Sequence, residues 1–207
     1  MKLTKEQIIF IDTYLKNSGV EYLDIRGEMT DHVAAALEEQ EGDFYDNFKE
    51  YMLKHKQELL TSNLKFTKLA GNRAFKILVT TSLKPLTLVV FLLVFIASNV
   101  LLHHLGEEKF SDIITTSFLV FGLGIVIYLK IFYRGLKAKY SVVTKLQAIV
   151  STFPYVVLVI LKPERIIENI EVLIGFYSLF TAFMISIFVS YKEVALTYKL
   201  RYNGNEK

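Results

Sequence analysis

Glu28 and His32 stand four residues apart, with Asp24 one turn earlier and Asp31 adjacent. A carboxylate and an imidazole on one helix face can share a divalent cation or pass a proton. Two ligands are too few to hold a metal, and neither a His-Glu-x-x-His pair nor a second histidine nearby in sequence supplies more. Polar pairs at this helical spacing mostly bond each other or a neighbouring helix. His103-His104, followed by Gly106, Glu107 and Glu108, is the second constellation. Adjacent helical residues point about 100° apart, so both rings cannot face one ion unaided. A membrane enzyme would have to gather His103, His104, Glu107, Glu168 and Glu171 at one interface, and their spacing matches no catalytic arrangement. There is no cysteine, which excludes thiolate metal centres and disulfide scaffolds, and no Gly-rich phosphate loop or serine elbow is present. The sequence therefore predicts no catalytic residue, no metal ligand set and no cofactor.

The elements that carry these residues follow from where charge is missing. Of the 207 residues 52% are hydrophobic and 22% charged, and the charges avoid Pro85–Gly106, Ile113–Leu129, Leu146–Leu161 and Val172–Tyr191. A helix needs roughly 20 apolar residues to cross a bilayer. The first and fourth runs meet this outright; the second and third do so if Lys130 and Lys145 snorkel. Four spans are predicted, at about 85–106, 112–132, 142–161 and 170–191. Lys and Arg in the flanking segments number 14 on the side holding both termini and 3 on the other, which places both termini in the cytoplasm and the protein in a cell inner membrane. No Asp, Glu, Lys or Arg lies at mid-membrane depth, whereas ion-coupled transporters and intramembrane hydrolases use such groups. The polar residues within the spans read as packing features. Ser178, Ala182 and Ser186, with Gly175 a turn before, form a small-residue face. Asn99 is placed to bond a neighbouring helix, and Pro154 to kink the third span and free the Val150 carbonyl, with Ser151 a candidate to satisfy it.

Residues 1–62 are acidic, with 7 basic side chains against 13 acids, and read as a small three-helix cytosolic domain. Thr4 and Gln7 form a capping box ahead of Ile8, Ile11 and Leu15. A second helix, from about Glu21 to Gln40, aligns Tyr22, Ile25, Met29, Val33 and Ala36. A third, from about Asp43 to Leu60, aligns Phe44, Phe48, Tyr51/Met52, His55 and Leu59. Residues 63–84 form a basic neck in which Lys65, Lys68, Arg73 and Lys76 alternate with apolar residues, a pattern suited to anionic lipid. Arg134, Lys137 and Lys139 make the loop between the second and third spans equally basic. An acidic head could fold back on that loop or on the neck; nucleic acid is disfavoured because the head would repel it. Residues 192–207 form a cytoplasmic tail.

The text from Tyr22 to Val33, then Leu37-Glu38-Glu39 and the Phe44–Phe48 helix, resembles the N-terminal helical domain of the HAAS type, which precedes multi-span regions in bacterial membrane proteins, including uncharacterised Bacteroidetes ones. The resemblance implies a cytosolic signalling-associated module on a membrane anchor and carries no catalytic residues. The expected protein is all-α and integral to the membrane: a non-enzymatic regulatory or interaction module whose partners are anionic lipid, a second copy or a cytosolic protein. The competing expectation is a small transporter, channel subunit or lipid-handling protein with a path along Asn99, Pro154 and Gly122/Gly124.

Overall fold

A computed structural model describes residues 2–134, 136 and 138–202, apart from the side chains of Glu108, Ser111, Tyr133 and Arg134. Lys137, Gly135 and Asn203–Lys207 thus lie outside the described residues, as do the Arg134 and Glu108 side chains. The described chain is helical throughout: α1 (Lys5–Asn17), α2 (Leu23–Glu38), α3 (Phe44–Ser82), α4 (Pro85–Leu105), α5 (Glu107–Arg134), α6 (Ser141–Tyr155) running into a π-helix (Val156–Leu161), α7 (Pro163–Ile166) and α8 (Ile170–Tyr202). Four helical segments are long and apolar enough to cross a membrane: Pro85–Leu105, Asp112–Phe132, Ser141–Ile166 and Ile170–Tyr202. They coincide with the four charge-poor runs.

At the N-terminus, Thr4 and Gln7 close the expected capping box reciprocally, at 3.3 and 2.8 Å. Asp43 caps α3 by accepting from the Tyr45 and Asp46 amides. α1, α2 and the first half of α3 bury Ile11, Leu15, Ile25, Val33, Phe48 and Met52 around one apolar centre. Ile8, expected inside, is exposed; Leu3, brought in by the chain before the cap, is buried in that centre. The same unit encloses a charge. Arg26 is buried, its Nε donating to Asp12 at 2.7 Å and its Nη1 to the Val20 carbonyl at 3.3 Å. That pair ties α1 to α2 and satisfies a guanidinium that would otherwise be buried at high cost.

The expected break near Leu60 does not occur. α3 continues for 39 residues, roughly 58 Å at the α-helical rise. Its second half is kept helical by packing: Ala70, Ala74, Leu78 and Thr81 form a buried stripe seated against α6 and α8. The neck is thus a continuation of the head's third helix.

α8 is the axis of the bundle. Its apolar window is 56% buried, whereas that of α4 is 6% buried. Ser178, Ala182, Ser186 and Ser190 are all buried at four-residue spacing, and α4 lies closest along α8. Among the described residues the Ser178 hydroxyl has no hydrogen-bond partner, so it acts there by its size. Lower on the stripe the contacts are polar: Thr87 donates to Ser186 at 2.8 Å, and Thr81 to Ser190 at 2.9 Å. The opposite flank carries the large side chains, with Tyr177 stacked on Phe118 of α5 at 4.4 Å and Phe183 edge-on to Phe153 of α6.

Two local expectations are corrected. Asn99 donates to the Phe95 carbonyl of its own helix at 2.8 Å rather than to a neighbour; an amide four residues along a helix reaches that carbonyl without leaving its turn. A side chain at Gly175 would meet nothing within 4 Å, so the close-approach glycine is Gly122 instead, where a Cβ would stand 3.0 Å from Leu158 and 3.5 Å from Pro154. Pro154 is followed by six residues of π-helix, a local widening of the kind found where a helix lacks an amide donor.

Ala182→Leu should cost about 1–3 kcal/mol by overpacking. Gly175→Ala should be neutral or stabilising by up to roughly 1 kcal/mol. Thermal unfolding in one detergent, with both variants beside the parent, checks the contrast.

Candidate functional site at the junction of head and bundle

α2 and α6 both begin without a cap of their own. Their N-cap positions hold Tyr22 and Tyr140, neither of which makes a side-chain cap hydrogen bond. A helix start leaves amide donors without intrahelical partners, and here each start is served by the other chain segment. The Leu23 amide at the head of α2 donates to the Lys139 carbonyl at 2.9 Å. The Ser141 amide at the head of α6 donates to Asp24 Oδ1 at 3.0 Å, and the Ser141 hydroxyl donates to Asp24 Oδ2. The carboxylate also faces the positive end of the α6 dipole.

A charge pair lies beside this cross-cap. Lys139 Nζ is 2.8 Å from Glu21 Oε2, and that hydrogen bond, reinforced by the lysine charge, holds the Glu21 carboxyl below the ordinary glutamate range. The pair is exposed and of the class that contributes little to stability. An aromatic floor lies beneath it: Tyr140 is buried, with Tyr198 and Tyr202 of α8 at ring distances of 5.7 and 5.9 Å. Leu23 packs into the cluster of the bundle rather than that of the head. The end of α8, the loop before α6 and the first turn of α2 therefore meet at one end of the bundle.

The expected Glu28/His32 pair is elsewhere. Asp24 is drawn away to Ser141, while Glu28 and His32 line a separate cleft of ≈ 410 Å³ between α2 and α3. The fold adds residues to this cleft that sequence spacing does not reveal: His55 and Glu58, one turn apart, with Nδ1 of the ring 3.3 Å from Oε2. The Tyr51 ring lies tilted against His55 at 4.6 Å, and burial together with the Glu58 charge raises its phenol pKa above the ordinary value. Among the described residues no three His, Asp or Glu side chains are grouped closely enough to hold a metal ion. That also covers the exposed His103 and His104, whose rings stand edge to face at 5.8 Å, with Glu107, Glu168 and Glu171.

Of the remaining candidates, Lys65, Lys68, Arg73 and Lys76 are exposed along α3, and none makes an ion pair among the described residues. Lys139 does, with Glu21. Compared with protein-family models, curated proteins and solved structures, the chain matches none of them.

Asp24→Ala should remove a helix cap, a loss of about 1 kcal/mol, and raise amide exchange across the first turn of α6 by roughly fivefold. Glu21→Gln should change it little. Because the Glu21 pKa is lowered in the folded state, its contribution is present above the ordinary glutamate range and lost as pH falls through the lowered value. Head docking in the parent should accordingly be flat through neutral pH, with at most a slight loosening in acid.

Proposed function

We propose that this chain is a membrane-anchored regulatory module without catalytic activity: a helical head on the cytoplasmic face of an inner membrane, coupled to a four-span bundle. The reciprocal capping of α2 and α6 is the observation that carries this reading. A head tethered only by a linker would be free of the bundle, whereas here one helix continues from the head into the bundle and a second head helix is capped by it. Any change that moves the α6 start must uncap α2, and the reverse.

Sidedness follows from the excess of Lys and Arg in the segments at the head's end. Resemblance to the HAAS-type domain favours a signalling role. A cytosolic protein or a second copy has a surface to meet on the head, where Ile9 and Tyr45 are 49% and 59% exposed and the partly exposed Phe10 lies 5.4 Å from Tyr45 edge to face. Anionic lipid suits the unpaired cations of α3. The acidic head has no claim on nucleic acid.

Reconstitution in nanodiscs of graded anionic lipid content tests the coupling. Exchange of the α2 first-turn amides should slow several-fold as the anionic fraction rises. Exchange independent of lipid composition would remove the regulatory reading. The absence of native cysteine allows single cysteines at Lys56 and Glu168 to report sidedness with an impermeant maleimide; they should label from opposite faces.

A further inference from the structure

We infer that the seam between α3, α6 and α8 is a binding site for one anionic phospholipid of the leaflet on the head's side, with an acyl chain in an apolar groove and the phosphate on Lys68 and Lys145. This rests on the four apolar helices crossing a bilayer, and is independent of head coupling.

The groove is formed where the last two turns of α3 run alongside the spanning helices. A cavity of ≈ 400 Å³ is bounded by Phe75 and Val79 of α3, Ile149 and Phe153 of α6, and Phe183 and Ile187 of α8. A second, of ≈ 420 Å³, shares Ser82, Phe153 and Phe183 with it and continues past Val157 to Leu161. Together they follow α6 and its π-helical extension from Ile149 to Leu161, roughly 18 Å at the α-helical rise, on the order of one leaflet of a ~30 Å hydrocarbon core. The hydroxyls that border the groove are already satisfied: Ser82 donates to the Leu78 carbonyl at 2.8 Å, and the Thr87 hydroxyl bonds both the Thr81 carbonyl, at 3.0 Å, and the Ser186 hydroxyl, at 2.8 Å. A groove with no open donor suits a hydrocarbon chain and offers nothing to a polar solute.

Charge selects the headgroup. Lys145 precedes Ile149 by one turn of α6, on the same stripe. Lys68 precedes Phe75 by two turns of α3, on the stripe that also carries Asn72 and Val79. Neither lysine makes an ion pair among the described residues. Arg73 lies on the other flank of α3, in a separate cleft with Glu193 and Tyr198, and is not part of the site.

Native mass spectrometry of the full chain, released from an equimolar mixture of phosphatidylglycerol and phosphatidylcholine with the same acyl chains, tests this. The parent should retain one phosphatidylglycerol in preference. Lys68→Gln with Lys145→Gln should cut that preference roughly thirtyfold, about fivefold per cation, whereas Arg73→Gln should leave it unchanged. Val79→Trp, at a half-exposed position, should abolish retention of both lipids with secondary structure intact by circular dichroism; Ile149→Trp is the second variant should that one not fold. An unchanged preference in the double lysine variant, or full retention in a folded groove-filled variant, would overturn the site.

Discussion

Two helix starts that cannot cap themselves set the relation between the two parts of this molecule. Ser, Thr, Asp or Asn at the positions of Tyr22 and Tyr140 would let α2 and α6 each satisfy an early amide alone. With tyrosine in both places, the Leu23 amide turns to the Lys139 carbonyl and the Ser141 amide to Asp24. The two tyrosines are not idle. Tyr140 is buried against the end of α8, so the residue that forgoes capping supplies packing at the same point. Each bond is ordinary in strength, and the geometry comes from their reciprocity, since neither helix start can shift without exposing a donor on the other.

The remainder of the architecture transmits that constraint. α3 links the head to the bundle without a joint, and its small-residue stripe of Ala70 and Ala74 allows close approach of the helices it packs on. α8 receives α3 and α4 on its Ser178–Ser190 face and α5 and α6 on its aromatic flank. α4, with little but Thr87 buried, is held mainly along this one seam. Gly122 lets α5 come against Pro154 where the third spanning segment widens into a π-helix, so this mid-span proline is enclosed by neighbouring side chains.

Much of this was legible in the residues, and the rest failed for physical reasons. Spans are legible because a bilayer imposes a length of uncharged sequence. The Thr4/Gln7 box and the Ser178–Ser186 stripe are legible because capping and close packing need particular residue types at fixed spacing. The continuity of α3 was hidden because its basic second half resembles an interfacial segment until Ala70 and Ala74 are seen as a buried stripe. Asn99 and Gly175 were misread because sequence specifies a polar or small group without saying what stands opposite it. The junction was half visible: the pairing of an acidic head with a basic loop was expected, and Lys139 does meet Glu21. The decisive pair, Asp24 with Ser141, is 117 residues apart. Its only local signal is a tyrosine at each N-cap position, which marks a missing cap without naming its donor. His55 and Glu58 joined Glu28 and His32 for the same reason, by tertiary contact between helices.

The central claim is that the head is docked on the bundle through these two helix starts. Electron–electron distance measurement between spin labels at Glu39→Cys, at the C-cap of α2, and Lys199→Cys on α8, in the full chain in lipid nanodiscs, tests it most directly. One narrow distance distribution in the parent, broadening when Asp24→Ala is added, is the predicted result. A distribution that is already broad in the parent, or one that Asp24→Ala leaves narrow and unmoved, would contradict it.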